Sequence, residues 1–97
     1  LKEAVSHVTG VDVTDANISL NSSKPQAVQA HAYTQGTNVY VAPSQEKYIA
    51  HELTHVAQQK AGRVQPTFQM KGGMNINDDA ALEKEADVLG DKAMSLL

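Results

Sequence analysis

Cysteine is absent from the 97 residues, which excludes disulfides, thiolate metal ligands and a cysteine nucleophile. Tryptophan is absent as well and phenylalanine occurs once, at Phe68, so the core has to be aliphatic, built from Val, Ile, Leu, Ala and Met. No apolar run approaches the roughly 18 residues of a transmembrane helix, and the start lacks the charged and apolar regions of a signal peptide. Net charge is small. Eight basic residues against eleven acidic ones leave −3, interspersed along the chain, which argues against nucleic acid or an anionic membrane as a partner. A chain of this length is expected to form a single domain over residues 1–97 with a small core. It opens on Leu1 rather than Met and closes on Met94-Ser95-Leu96-Leu97 in mid-helical pattern, and so reads as a piece excised from a longer protein.

Periodicity supplies the elements. Leu1, Ala4, Val5 and Val8 recur at helical spacing and Gly10 can stop that helix in the left-handed region. Asn17 to Asn21 alternates and predicts a strand, and Ser22-Ser23-Lys24-Pro25 starts a brief helix over about 25–30. Gly36 sits between two extended stretches, the second Asn38 to Val41, which predicts a small hairpin. Ser44 is placed to cap a long helix over about 45–61 with Gly62 just past its end. Phe68-Gln69-Met70 and Met74-Asn75-Ile76 flank a Gly pair and predict a second hairpin or an ordered loop. Asn77-Asp78-Asp79 are placed to cap a last helix whose apolar stripe is Leu82, Ala86, Leu89, Ala93 and Leu96.

The long central helix carries His51-Glu52-Leu53-Thr54-His55. Two histidines four residues apart project from one face and can ligate one metal, and the carboxylate of H-E-x-x-H can take a proton from a water that the metal has acidified. Ile49, Leu53, Val56 and Ala57 gather on one side of the helical wheel, with His51 and His55 more than about 100° around from the middle of that stripe. A catalytic zinc site wants a third protein ligand. His7 and His31 are candidates, and Glu83 on the last helix is the better one. There Glu83 and Asp87 share a face, Glu85 points nearly opposite, and Gly90 on the same flank would let the two helices approach closely. Asp87 is placed to hydrogen-bond the other ring nitrogen of a ligating histidine.

HELTH followed by E-x-x-x-D on a later helix resembles the gluzincin pattern of thermolysin-like zinc peptidases. More closely, SSKPQAVQAHAYTQGTNVYVAPSQEK, HELTHVAQQKAGRVQPT and NINDDAALEKEADVLG resemble, in order, the core domain of extracellular contractile injection systems, a bacterial metallopeptidase-like family. Carried over by position, the resemblance implies His51, His55 and Glu83 as Zn²⁺ ligands, Glu52 as catalytic base and Asp87 as the residue orienting a ligand. It also implies a setting inside longer toxins or effectors of phage-tail-like machines, cytoplasmic or exported with them. The family often has Trp directly before the second histidine, where this chain has Thr54.

The expected fold is therefore α+β, a minimal zincin-like domain with a small sheet, an H-E-x-x-H helix and a C-terminal helix carrying the Glu ligand. The expected function is zinc-dependent hydrolysis of peptide bonds, on a protein or peptide substrate for which the parent polypeptide is one candidate. In zincins the strand before the active-site helix is a sheet edge that holds substrate backbone, which assigns Asn38, Val39 and Tyr40 to substrate. Candidates for stabilising the oxyanion are His31, Tyr33, Tyr40, Tyr48 and Arg63, and Gln58 and Gln59 are expected to cap or bridge loops near the site. The rival readings are a noncatalytic module that docks onto an injection particle, and a structural zinc site closed by four protein ligands.

Overall fold

The computed structural model describes residues 1–27, 29–62, 68–71 and 80–97, with 68–71 and 80 as backbone alone. The first helix, α1 (Lys2–Thr9), buries Val5 and lays Leu1, Ala4 and Val8 against the core. It ends where Gly10 turns left-handed (φ 73°) and returns its N–H to the Ser6 carbonyl at 2.9 Å. The Ser6 hydroxyl then accepts the Val13 N–H at 2.9 Å, and Lys60 reaches back to the Asp12 carbonyl and the Asp15 carboxylate. The chain entering the sheet is thereby held to the end of the central helix.

The sheet has four strands in the order β1-β3-β2-β4. β1 (Asn17–Ser19) is shorter than its alternation predicts, because Leu20 faces solvent and Asn21 takes a positive φ of 53°. A brief helix, α2 (Lys24–Ala27), follows with Pro25 in its first turn; it stops short of the expected residue 30, where Gln29 at φ 59° turns the chain. β2 (Ala32–Gln35) and β3 (Asn38–Val41) form the expected hairpin about Gly36. β4 (Phe68–Lys71) adds antiparallel to the other side of β2. Of the second predicted hairpin, Phe68-Gln69-Met70 is thus a strand partnered by β2, while Met74-Asn75-Ile76 lie outside the described residues.

The place of β3 corrects one expectation. Asn38, Val39 and Tyr40 do not form a sheet edge: β1 pairs with β3 in parallel, Asn17 opposite Asn38 through Ser19 opposite Tyr40, and β2 occupies its other side. With ladder partners on both sides, β3 has no free main-chain row on which a substrate strand could add.

The central helix α3 (Ile49–Lys60) also starts differently from the reading above. Ser44 is not its cap. The Gln45 N–H closes a turn on the Ala42 carbonyl, with Pro43 and a left-handed Ser44 (φ 65°) in the middle, and a 3₁₀ turn over Glu46–Tyr48 then leads into the helix. The last helix is α4 (Ala80–Met94). Its Leu82, Ala86 and Ala93 are buried and Leu89 half-buried, but Leu96 lies past the helix end and is 54% exposed. Asn77-Asp78-Asp79, expected to cap α4, lie outside the described residues.

The core is aliphatic as composition requires, made of Val5, Val13, Ala32, Val39, Val41, Leu53 and Val56 with Ala50, Ala57 and Ala93. α3 packs on one face of the sheet, and α1 and α4 pack on α3. Residues 50 through 58 of α3 are consequently all buried, polar ones included. The histidine face of the wheel, off the Leu53–Val56 stripe as expected, is closed by α4. Among the described residues no helix is long and apolar enough to cross a membrane.

Candidate metal centre

Three side chains converge where α3 meets α4. His51 and His55, one turn apart on α3, bring their Nε2 atoms to 3.1 Å from each other. Glu83, from the first turn of α4, closes the triangle with Oε1 at 3.5 Å from His51 Nε2 and Oε2 at 2.5 Å from His55 Nε2. Donors about 2.0 to 2.1 Å from a tetrahedral metal are separated from one another by about 3.3 Å, and the three edges scatter around that length. His51, His55 and Glu83 are near enough to hold one metal ion, and neither His7 nor His31 joins them.

Hydrogen bonding on the far side of each ring makes the donor set fit a cation. His51 Nδ1 lies 2.8 Å from Asp87 Oδ1, and a carboxylate oxygen accepts, so Nδ1 carries the proton. His55 Nδ1 lies 2.8 Å from Gln58 Oε1, whose amide is oriented by its own Nε2 donating to the Leu82 carbonyl at 3.0 Å. That nitrogen too must carry its proton. Both neutral rings therefore aim an Nε2 lone pair into the space shared with a carboxylate, an arrangement that repels itself unless a positive charge sits among the three.

The electrostatics describe the same need in proton terms. Burial pushes Glu83 up, but the hydrogen bonds and charges of His51 and His55 outweigh it and pull the carboxyl down to about 2. Burial lowers His55, yet the Glu83 hydrogen bond, the charges of Glu52 and Glu83 and the Gln58 contact together hold it above its ordinary value. Without a metal, these shifts favour a proton on His55 beside an ionised Glu83.

Glu52 stands next to this triangle with no exposed surface. The Thr34 hydroxyl, on the face of β2 that meets α3, donates to Glu52 Oε1 at 2.6 Å. Glu52 Oε2 is buried, has no hydrogen-bond partner among the described residues and lies 4.0 Å from His51 Nε2. Burial pushes this carboxyl upward against the lowering pull of His55, His51 and Thr34. Access is narrow: His51 is 5% exposed and His55 0%, while the Glu83 side chain is 27% exposed and forms the open side.

Sequence reasoning named His51, Glu52, His55, Glu83 and Asp87, and the fold brings all five together. It missed Thr34, and it gave Gln58 a looser place than the amide bridge that the residue forms. Gln58 is readable in principle, since it follows His55 by three positions and shares its helix face. Glu85 is a further correction. Rather than standing apart, it reaches the Gln58 amide at 3.1 Å. Of the oxyanion candidates, Tyr48 lines a cavity of about 360 Å³ with His51 and Asp87, and His31 stacks on Tyr48 with centroids 5.4 Å apart. Tyr33 and Tyr40 pair across the hairpin, and strand alternation turns them to the face opposite Thr34 and α3. Arg63 lies outside the described residues.

Compared with known proteins, residues 1–63 match the family model described as the eCIS core domain. The matched span runs from α1 through α3 and holds His51, Glu52 and His55; Glu83 and Asp87 follow it. No curated protein and no solved structure matches the chain.

Proposed function

The chain belongs to the eCIS core domain family, and from that membership together with the His51–His55–Glu83 triangle we propose a zinc-dependent metallopeptidase-like domain of gluzincin type, associated with a bacterial contractile injection system. The observation that carries this reading is the pair of Nε2 lone pairs facing a carboxylate, each ring locked by a partner on its Nδ1. His51, His55 and Glu83 would hold the ion, and two nitrogens with one carboxylate oxygen suit zinc. Bound zinc supplies a Lewis acid that acidifies water and polarises a carbonyl.

The chain's own residues divide the remaining work. Asp87 and Gln58 hold the two rings in one tautomer and one orientation. Thr34 holds Glu52 by one oxygen and leaves the other, Oε2, directed into the site, where it can take a proton from attacking water and return it to the leaving amine. Burial, which raises the proton affinity of Glu52, suits that exchange. The substrate is a protein or peptide, the parent polypeptide among the candidates.

Loss of the base with retention of the metal is the decisive test. Wild type should bind about one zinc per chain and cleave casein or its parent chain, while Glu52→Gln keeps the zinc and loses about 10²- to 10⁴-fold in cleavage rate. Cleavage by Glu52→Gln at the wild-type rate would refute the assignment. A second reading, a noncatalytic zinc-binding module that docks cargo on an injection particle, draws support from the burial of His51, Glu52 and His55. Zinc-loaded protein that cleaves no peptide yet binds a particle component tightly would favour it.

A further inference from the structure

Two of the three converging donors are referred to one carboxamide. Gln58 is buried between α3 and α4. Its Oε1 accepts from the His55 ring at 2.8 Å, and its Nε2 donates to the Leu82 carbonyl at 3.0 Å and to Glu85 Oε1 at 3.1 Å. Leu82 directly precedes Glu83. One planar group thus spans a ligand's ring on one helix and the backbone beside a ligand on the other.

His51 and His55 need no such help, since four positions on one helix fix their relation. Glu83 does need it. A slip of α4 by one residue along α3 shifts it about 1.5 Å and a one-residue rotation swings it about 100°, and either takes the carboxylate out of a shell whose edges are near 3.3 Å. Apolar burial of Leu82, Ala86 and Ala93 holds the helices together and resists so wide a rotation but, being non-directional, is tolerant of the smaller slip. Hydrogen bonds of fixed length and direction are not. Asp87 and Gly90 fix the end of the contact nearer His51, and Gln58 ties the turn that carries Glu83 to α3.

We propose that Gln58 is the positioning residue that sets the register of α4 on α3 and so delivers the Glu83 carboxylate to the two histidines. The inference rests on the metal-site reading above and deepens it.

A double-mutant cycle on zinc affinity, measured by competition with a chromophoric chelator, tests it without recourse to catalysis. Gln58→Met should weaken zinc binding about 10- to 100-fold in the otherwise wild-type chain. In a Glu83→Ala background, with no third ligand left to position, the same change should cost at least about threefold less. A cooperative urea transition in chelator shows that each variant is folded. Gln58→Asn, whose amide is one methylene too short to span both helices, runs the same cycle should Gln58→Met not fold. Equal losses in the two backgrounds, or no loss in either, would overturn the proposal while leaving the metal site standing. Wild-type protein that takes up no zinc would overturn both.

Discussion

The two oxygens of Glu52 live in different surroundings. Oε1 receives the Thr34 hydroxyl at 2.6 Å, whereas Oε2, equally buried, receives nothing from the described residues. An ionised carboxyl with no exposed surface is expensive, so the Thr34 hydroxyl matters in two ways. It offsets part of the desolvation, and it fixes which oxygen is left for the site. Thr34→Val, nearly the same shape without the donor, should therefore lower metal-free stability by about 1 to 3 kcal/mol. Thr34→Ser should recover most of that, since it restores the donor. Urea unfolding in the presence of chelator reads the difference, and equal stabilities for the Val and Ser variants would show that the hydroxyl does nothing. Nothing local announces this partnership. Thr34 stands 18 positions from Glu52, and its one trace in the sequence is a polar residue in register with Ala32 on the strand face that meets the core.

At the level of elements, the site is the contact between α3 and α4, and the two backbones come close at Gly90. A Cβ there would stand 3.1 Å from the His51 backbone nitrogen and 3.3 Å from the Ala50 carbonyl carbon. Both are backbone atoms of a buried helix, with no side chain to swing aside. Gly90→Ala should accordingly push α4 outward, lowering stability by about 1 to 3 kcal/mol despite the better helix propensity of alanine, and weaken zinc binding with it. A variant with raised stability and unchanged zinc affinity would mean that the contact has slack. The glycine was readable from the wheel, on the flank of α4 that holds Glu83 and Asp87. The helix start and the sheet edge were not. Ser44 has the chemistry of a cap but is used in the Ala42–Gln45 turn, and Asn38 to Tyr40 precede the helix as an edge strand would, yet β1 returns in parallel to cover them. Capping residues and alternation are local signals. Which strand ends at a border depends on pairings between distant segments.

For the molecule as a whole, the charges of the triangle set how stability responds to pH. In metal-free protein Glu83, depressed to about 2 from an ordinary 4.5, contributes stability that is complete above pH 4.5 and lost as pH falls toward 2. His55, raised above its ordinary 6.5, contributes stability complete below pH 6.5 and lost as pH rises through its folded value. Glu52 is raised as well, so its contribution is complete below 4.5 and declines at higher pH. Metal-free stability should then be greatest between pH 4.5 and 6.5, toward the acid end, and fall on both sides. Zinc requires the His55 ring deprotonated at Nε2, so its added stabilisation should grow as pH rises through the raised folded value of that ring, opposing the metal-free decline. Urea midpoints measured with chelator and with zinc across this range check both slopes. Metal-free stability that climbed steadily from pH 6.5 to 8 would contradict the charge arrangement.

Local rules were enough for part of this protein. The i, i+4 histidine pair, the aliphatic core, the Gly10 stop, the hairpin about Gly36 and the shared face of Glu83, Asp87 and Gly90 all follow from spacings of a few residues, where backbone geometry leaves little choice. The folded chain alone decided how deeply the histidines are buried, which oxygen of Glu52 Thr34 takes and that β3 lies inside the sheet. It also decided that Gln58 binds His55 and the turn before Glu83 together. The hydrogen bonds among these properties join groups 18 and 24 positions apart. Their energies depend on what else occupies the surrounding space, and packing, not periodicity, sets that.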